Sequence, residues 1–165
     1  MTNVQYFLLL IFGLFANTSW STTESWSVSI EEDPVNKTNI CLLVSRIYKI
    51  DDGQTTTPVQ LIYNGKNVFA KTKSDIDMSY PNIGLQIDTH ELHKISRVHK
   101  NNIVVFENAD DSIHQQFING RNAHLALGFW PTWPQTHTRI IDFSLMGYTE
   151  TYKQFLKCRN KGKQP

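Results

Sequence analysis

The chain has 165 residues with 16 basic and 15 acidic side chains, a formal net charge of +1, and 40% hydrophobic residues. So even a balance provides no general electrostatic attraction for nucleic acid, and a nucleic-acid partner is not expected. At roughly 100–200 residues per domain, the length calls for one domain.

The first segment, residues 1–21 (MTNVQYFLLLIFGLFANTSWS), has no charged side chain and carries an apolar run from Tyr6 to Ala16. That run falls short of the about 20 residues needed to cross a bilayer, and it fits the apolar region of a secretory signal peptide. Small residues at Ser19 and Ser21 satisfy the small-x-small cleavage rule, so cleavage after Ser21 is expected, with Ala16 as the alternative. Only the terminal amine supplies positive charge, where such peptides usually open with Lys or Arg, so an uncleaved anchor or a buried N-terminal strand stays open. No later apolar run approaches membrane length. The expected product is exported, periplasmic or secreted, and does not span a membrane once the signal is cleaved. It comprises one domain over residues 22–158 and a basic disordered tail over 159–165.

Cys41 and Cys158 are the two cysteines. In an oxidising compartment an even pair most simply forms one disulfide, and two free buried thiols are the alternative. The bridge would close a long loop, for which chain entropy assigns up to about 4–5 kcal/mol. Pairing would also consume the one residue type best suited to act as a nucleophile.

Short β-prone runs then recur with Gly, Asn, Asp and Pro between them, the pattern of a mostly β domain. Strands are expected over residues 26–31, 41–50, 59–63, 67–72, 83–88, 94–99, 102–107, 123–130 and 139–145. Asn64-Gly65 lies between two of these runs and predicts a hairpin with a two-residue type I′ turn. IDDGQ, from Ile50, predicts a turn that sets 41–50 and 59–63 side by side, antiparallel. NADDSIHQQFINGR, from Asn108, reads as a short helix with acidic residues in front and a glycine stop. GYTETYKQFLKC, from Gly147, sets Tyr148, Tyr152, Phe155 and Leu156 on one helical face. The expected architecture is mainly β: an antiparallel β-sandwich or partly closed barrel with one short internal helix and a C-terminal helix. Lys153, Lys157, Arg159, Lys161 and Lys163 follow the last acid, Glu150, and read as a solvated helix end and tail in preference to an anionic-surface patch.

Several of these segments together carry a resemblance. ESWSVS, the Cys-led CLLVSRIYKIDDGQ, PNIGLQID, FINGRNAHLAL and the closing junction RIIDFSLMGYTETYKQFL resemble the bacterial invasion-associated locus B family. The junction is Ser144, Leu145, Gly147 and Tyr148 in this chain. The resemblance implies export, a compact β fold and an association with host-cell contact, and it carries over no catalytic residue. The chain departs from the family in lacking a mid-domain cysteine pair, and PNIGL stands where a Pro-Leu-Gly-like strand start is usual.

Motifs for chemistry are sparse. HELH, His90 to His93, is one residue short of the H-E-x-x-H zinc helix, and on a strand its two histidines would face opposite ways. With His99 it reads as a surface cluster. Asp75 and Asp77 have calcium-loop spacing without the Gly and Glu of that loop, so a structural turn is expected. No nucleophile elbow, phosphate-binding loop or dinucleotide fingerprint occurs. No catalytic residue, cofactor or metal is therefore expected. Asn36-Lys37-Thr38 and Asn17-Thr18-Ser19 match the glycosylation sequon; the second is expected to leave with the signal, and neither is used if the source is bacterial.

One stretch stands out, GFWPTWPQTHTR, residues 128–139. Two tryptophans and two prolines make it a stiff loop between two strands, and stiff loops with tryptophan suit binding. Trp130, Trp133 and His137 are the candidate partner-binding residues. Within that loop Trp130 is expected to end an inward-facing strand as a covered hinge, while Trp133 either makes the contact or folds as a lid over an open core edge. The expected role is a non-enzymatic binding or host-interaction factor of the envelope or secretome, with an unknown protein or envelope component as partner. A small secreted hydrolase with a His/Asp site and a purely structural envelope protein are the alternatives.

Overall fold

The computed structural model of the chain describes residues 25–109, 111–131 and 137–161. The expected signal segment, the end of the tail and Trp133 lie outside them. The described residues form two antiparallel sheets that share a core and do not close into a barrel. The larger sheet runs β1 (Trp26–Glu32), β2 (Asn39–Ser45), β4 (Thr56–Tyr63), β5 (Val68–Lys71), β9 (Ile103–Phe106), β8 (Arg97–His99), with β3 (Tyr48–Asp51) also on β4. The smaller runs β11 (Arg139–Ser144), β10 (Asn122–Leu127), β6 (Gly84–Ile87), β7 (His93–Lys94). Helix α1 (Ile113–Asn119) precedes β10, and α2 (Tyr148–Lys161) packs on β1 and β2.

Two expected strands are each divided. The run 41–50 breaks into β2 and β3 at a β-bulge: between the pairs Val44↔Ile62 and Tyr48↔Val59, Ser45, Arg46 and Ile47 stand opposite Gln60 and Leu61. Ser45 repairs the interrupted ladder, its hydroxyl accepting from Leu61 N at 3.0 Å and its carbonyl from Gln60 Nε2 at 2.8 Å. The run 94–99 crosses between sheets: β7 pairs with β6 and β8 pairs with β9.

The hairpin at Asn64-Gly65 forms, but with a longer loop than a type I′ turn. Tyr63 pairs with Val68, which leaves residues 64–67 as the loop. Gly65 alone of the two central residues has positive φ, at 91°. Asn64 instead serves as an acceptor, its side-chain oxygen taking Lys66 N at 3.0 Å and Asn67 N at 2.8 Å. A side chain that satisfies loop N–H groups in this way makes the tighter turn unnecessary.

Both helices stop and pack for identifiable reasons. In α1 no acid lies in the first turn, and Ser112 at the N-cap makes no side-chain cap bond, so the expected acidic front is not what holds it. Gly120 ends α1 at an ordinary φ of −86°; glycine is required there because a Cβ would meet the Gln116 carbonyl and Ile87 at 2.7 Å. In α2 the buried face is Tyr148, Thr151 and Phe155, and Leu156 is 39% exposed, so the apolar stripe lies one residue off the expected one. Cys158 continues that stripe and bonds to Cys41 on β2 across 117 residues of sequence.

The main core joins both sheets and α2, drawing on Leu43, Leu61, Val104, Leu125, Phe143 and Phe155 among others. A second cluster of Leu42, Val44, Ile62, Phe69, Ile103 and Val105 occupies the opposite face of the larger sheet. Strands with apolar residues on both faces read as continuous hydrophobic runs, as CLLV and IVVF do here.

Candidate functional site

The loop that leaves β10 is held by its backbone. Gly128 O accepts from Asp77 N at 2.9 Å, and Trp130 N donates to Asp75 O at 2.9 Å, with Phe129 bridged to Ile76 between them. Any side chain at Gly128 would run into the Tyr80 ring. These contacts give Asp75 and Asp77 their role. Asp77 is buried and accepts from Ser79 N at 2.9 Å, closing a turn, so the pair braces the loop through the main chain.

This zippering holds one aromatic inward and the next outward. Phe129 is 3% exposed, whereas Trp130 is 55% exposed. The expectation that Trp130 is a covered hinge is therefore overturned: Ala123, Leu125 and Leu127 are buried at alternate positions, Phe129 continues that inward phase past the end of β10, and Trp130 falls on the outward side. Beyond Pro131 the loop passes outside the described residues and returns at His137. His137 is exposed and accepts from the Arg139 guanidinium, which also reaches Asp51 Oδ2 at 3.4 Å. The far end of the loop is thereby tied to the turn between β3 and β4.

A groove of about 420 Å³ lies beside this segment, lined by Met78, Tyr80, Ile83, Leu92 and Ile95 among others. It shares Tyr80 with the packing under Gly128. A larger groove of about 590 Å³ runs between Ile30, Ile40, the Cys41–Cys158 bridge, Arg159 and Lys161. A third, of about 190 Å³, lies under Ile47 between Pro58 and Lys73. None of these three brings a histidine together with an acid.

The remaining histidines are dispersed. His90 is exposed in the turn after β6, His93 Nε2 bonds Gln116 Oε1 at 2.8 Å, and His99 ends β8. His114 is buried, stacked on Tyr63 with ring centroids 4.8 Å apart, its Nδ1 2.8 Å from the Tyr148 hydroxyl. Burial, with the neighbouring Tyr63 and Tyr152, pushes the Tyr148 phenol well above its ordinary value, so it stays protonated as a hydrogen-bonding core group. Reading the sequence did not single out His124, which pairs with Asp142 directly across β10 and β11 at 2.5 Å. Only the strand register places those two together, and both lie on an open sheet face. Among the described residues no group of three or more His, Cys, Asp or Glu side chains is arranged to hold a metal ion. No helix among them is long and apolar enough to cross a membrane.

No family model, curated protein or solved structure matches this chain.

Proposed function

We propose that this chain is an exported, non-enzymatic binding protein that engages a protein or envelope component through the loop of Trp130, Trp133 and His137. The observation that carries this reading is Trp130, with 55% of its surface open to solvent on a backbone pinned at both Gly128 and Trp130. A large amphipathic ring presented on a rigid support loses little entropy on association, which is why tryptophan concentrates at binding hot spots. Export is supported by the signal-like first segment and by a disulfide, which persists in oxidising compartments. The resemblance to the invasion-associated locus B family adds the envelope and host-cell contact to this reading.

The test is capture of partners from envelope and host-cell extracts by wild type, Trp130→Ala and Trp133→Ala, matched for folding by circular dichroism. Trp130→Ala is expected to leave stability within about 0.5 kcal/mol of wild type, as for an exposed side chain. Capture is expected to weaken by roughly 30-fold, the scale of a hot spot worth about 2 kcal/mol. Capture unchanged in both variants would return the loop to scaffold.

A further inference from the structure

The turn between β1 and β2 contains Asn36-Lys37-Thr38, and its geometry leaves the asparagine amide unengaged. Asp33 is fully buried and organises the turn: its Oδ1 accepts from Val35 N at 2.9 Å and Asn36 N at 2.8 Å, and its Oδ2 from Asn64 Nδ2 at 2.7 Å. Asp33 N donates to Thr38 O at 2.8 Å and closes the loop. Lys37 takes positive φ, 62°, at the crest, and its ammonium pairs with Glu32 at 2.8 Å. Asn36, Lys37 and Thr38 are all exposed, and among the described residues the Asn36 side chain makes no hydrogen bond.

We infer that Asn36 is the acceptor of an N-linked oligosaccharide. The middle residue of the sequon is Lys, not Pro, and the third is Thr, as the acceptor rule requires. The co-reactant is a lipid-diphosphate-linked oligosaccharide. The Asn36 Nδ2 attacks the anomeric carbon of its first sugar, the new C–N bond replaces the C–O bond to phosphate, the lipid diphosphate leaves with that electron pair, and Nδ2 gives up one proton. The folded turn accommodates the product because the bonds that shape it converge on Asp33, the Asn36 main-chain N–H among them, and none uses the Asn36 side-chain amide.

The position also separates the sugar from the proposed binding loop. β2 and β3 form one long run interrupted by the bulge. Asn39, which follows the turn, begins it, and Asp51, which pairs with Arg139, ends it. A glycan on Asn36 thus stands at the opposite end of the larger sheet from the loop. It would also place the chain in a secretory route that carries an oligosaccharyltransferase, which argues against the bacterial-envelope part of the proposed role and leaves loop binding untouched.

The experiment is secretion of the full chain from a eukaryotic host, as wild type, Asn36→Gln, Thr38→Ala and Thr38→Ser. Wild type is expected to run as a heavier band that collapses under peptide:N-glycosidase, with residue 36 recovered as Asp in the released peptide. Asn36→Gln and Thr38→Ala should run at the collapsed position, and Thr38→Ser should keep partial occupancy. A secreted wild type with the Cys41–Cys158 bridge intact and residue 36 bare overturns the inference. Failure of the native leader to direct secretion is a failure of the proposed export, and the same peptide readout is then taken with a substituted leader.

Discussion

The indole N–H of Trp26 donates to the carbonyl of Ser144 at 2.8 Å, joining the first strand to the last strand's end across 118 residues of sequence. The same ring lies edge-on to Tyr148, with centroids 4.9 Å apart, and tilts against Phe117. Trp26 thus fastens β1, α1 and the start of α2 at one point. Trp26→Phe removes the donor, strands a carbonyl and leaves a void, at a cost of about 2–4 kcal/mol. Urea unfolding would measure it; a loss under about 1 kcal/mol would show that this junction is not a keystone.

The Cys41–Cys158 bridge spans 117 residues, so its effect on the unfolded chain is large. Loss of the bridge in Cys41→Ser/Cys158→Ser is expected to reduce stability by about 4–5 kcal/mol in the chain-entropy account. Calorimetry of the double variant checks this. An unchanged unfolding temperature would mean that the Tyr148, Thr151 and Phe155 face alone holds α2.

Asp33 is a buried carboxylate with three donors converging on it. Asp33→Ala leaves two backbone N–H groups and the Asn64 amide without their acceptor, which should cost roughly 2–4 kcal/mol. Loss of amide-exchange protection at Val35 and Asn36 would accompany it. Retained protection there would mean that the Asp33 N to Thr38 O bond suffices to shape the turn.

Asp88 is held below the usual carboxylate range, first by the backbone N–H of Arg121 and then by that of Asn122, at 3.0 and 2.9 Å. A carboxyl depressed in the folded state contributes stability above its unfolded value, and that contribution disappears as pH falls through the folded value. The window therefore opens below about pH 4. Asp88→Asn, which tolerates the observed φ of 47°, should make stability less steep in that range and leave the slope near neutrality unchanged. An identical acid limb in the variant would remove Asp88 from the account.

The binding loop and the last helix differ in how much of them local patterns carry. Strict alternation through Ala123, Leu125 and Leu127 leads on to Phe129 as the inward residue and leaves Trp130 outward, and the bonds of Gly128 and Trp130 to Asp77 and Asp75 hold that phase beyond the end of β10. The helical stripe of α2 was readable to within one residue; Thr151 is buried in place of Leu156 because the helix is rotated by its contact with β1 and β2 and by the bridge to Cys41.

What the sequence by itself determined is the set of elements: a β domain, two helices, a hairpin at Asn64-Gly65 and a cysteine pair able to bridge its two ends. Those depend on propensity, periodicity and turn chemistry, which act over a few residues. What only the tertiary structure decided is how the elements share partners: the bulge at Ser45, the passage from one sheet to the other between β7 and β8, and the His124–Asp142 pair. Each depends on strand register, and register is fixed by contacts between residues far apart in the chain, so no short window of sequence contains it.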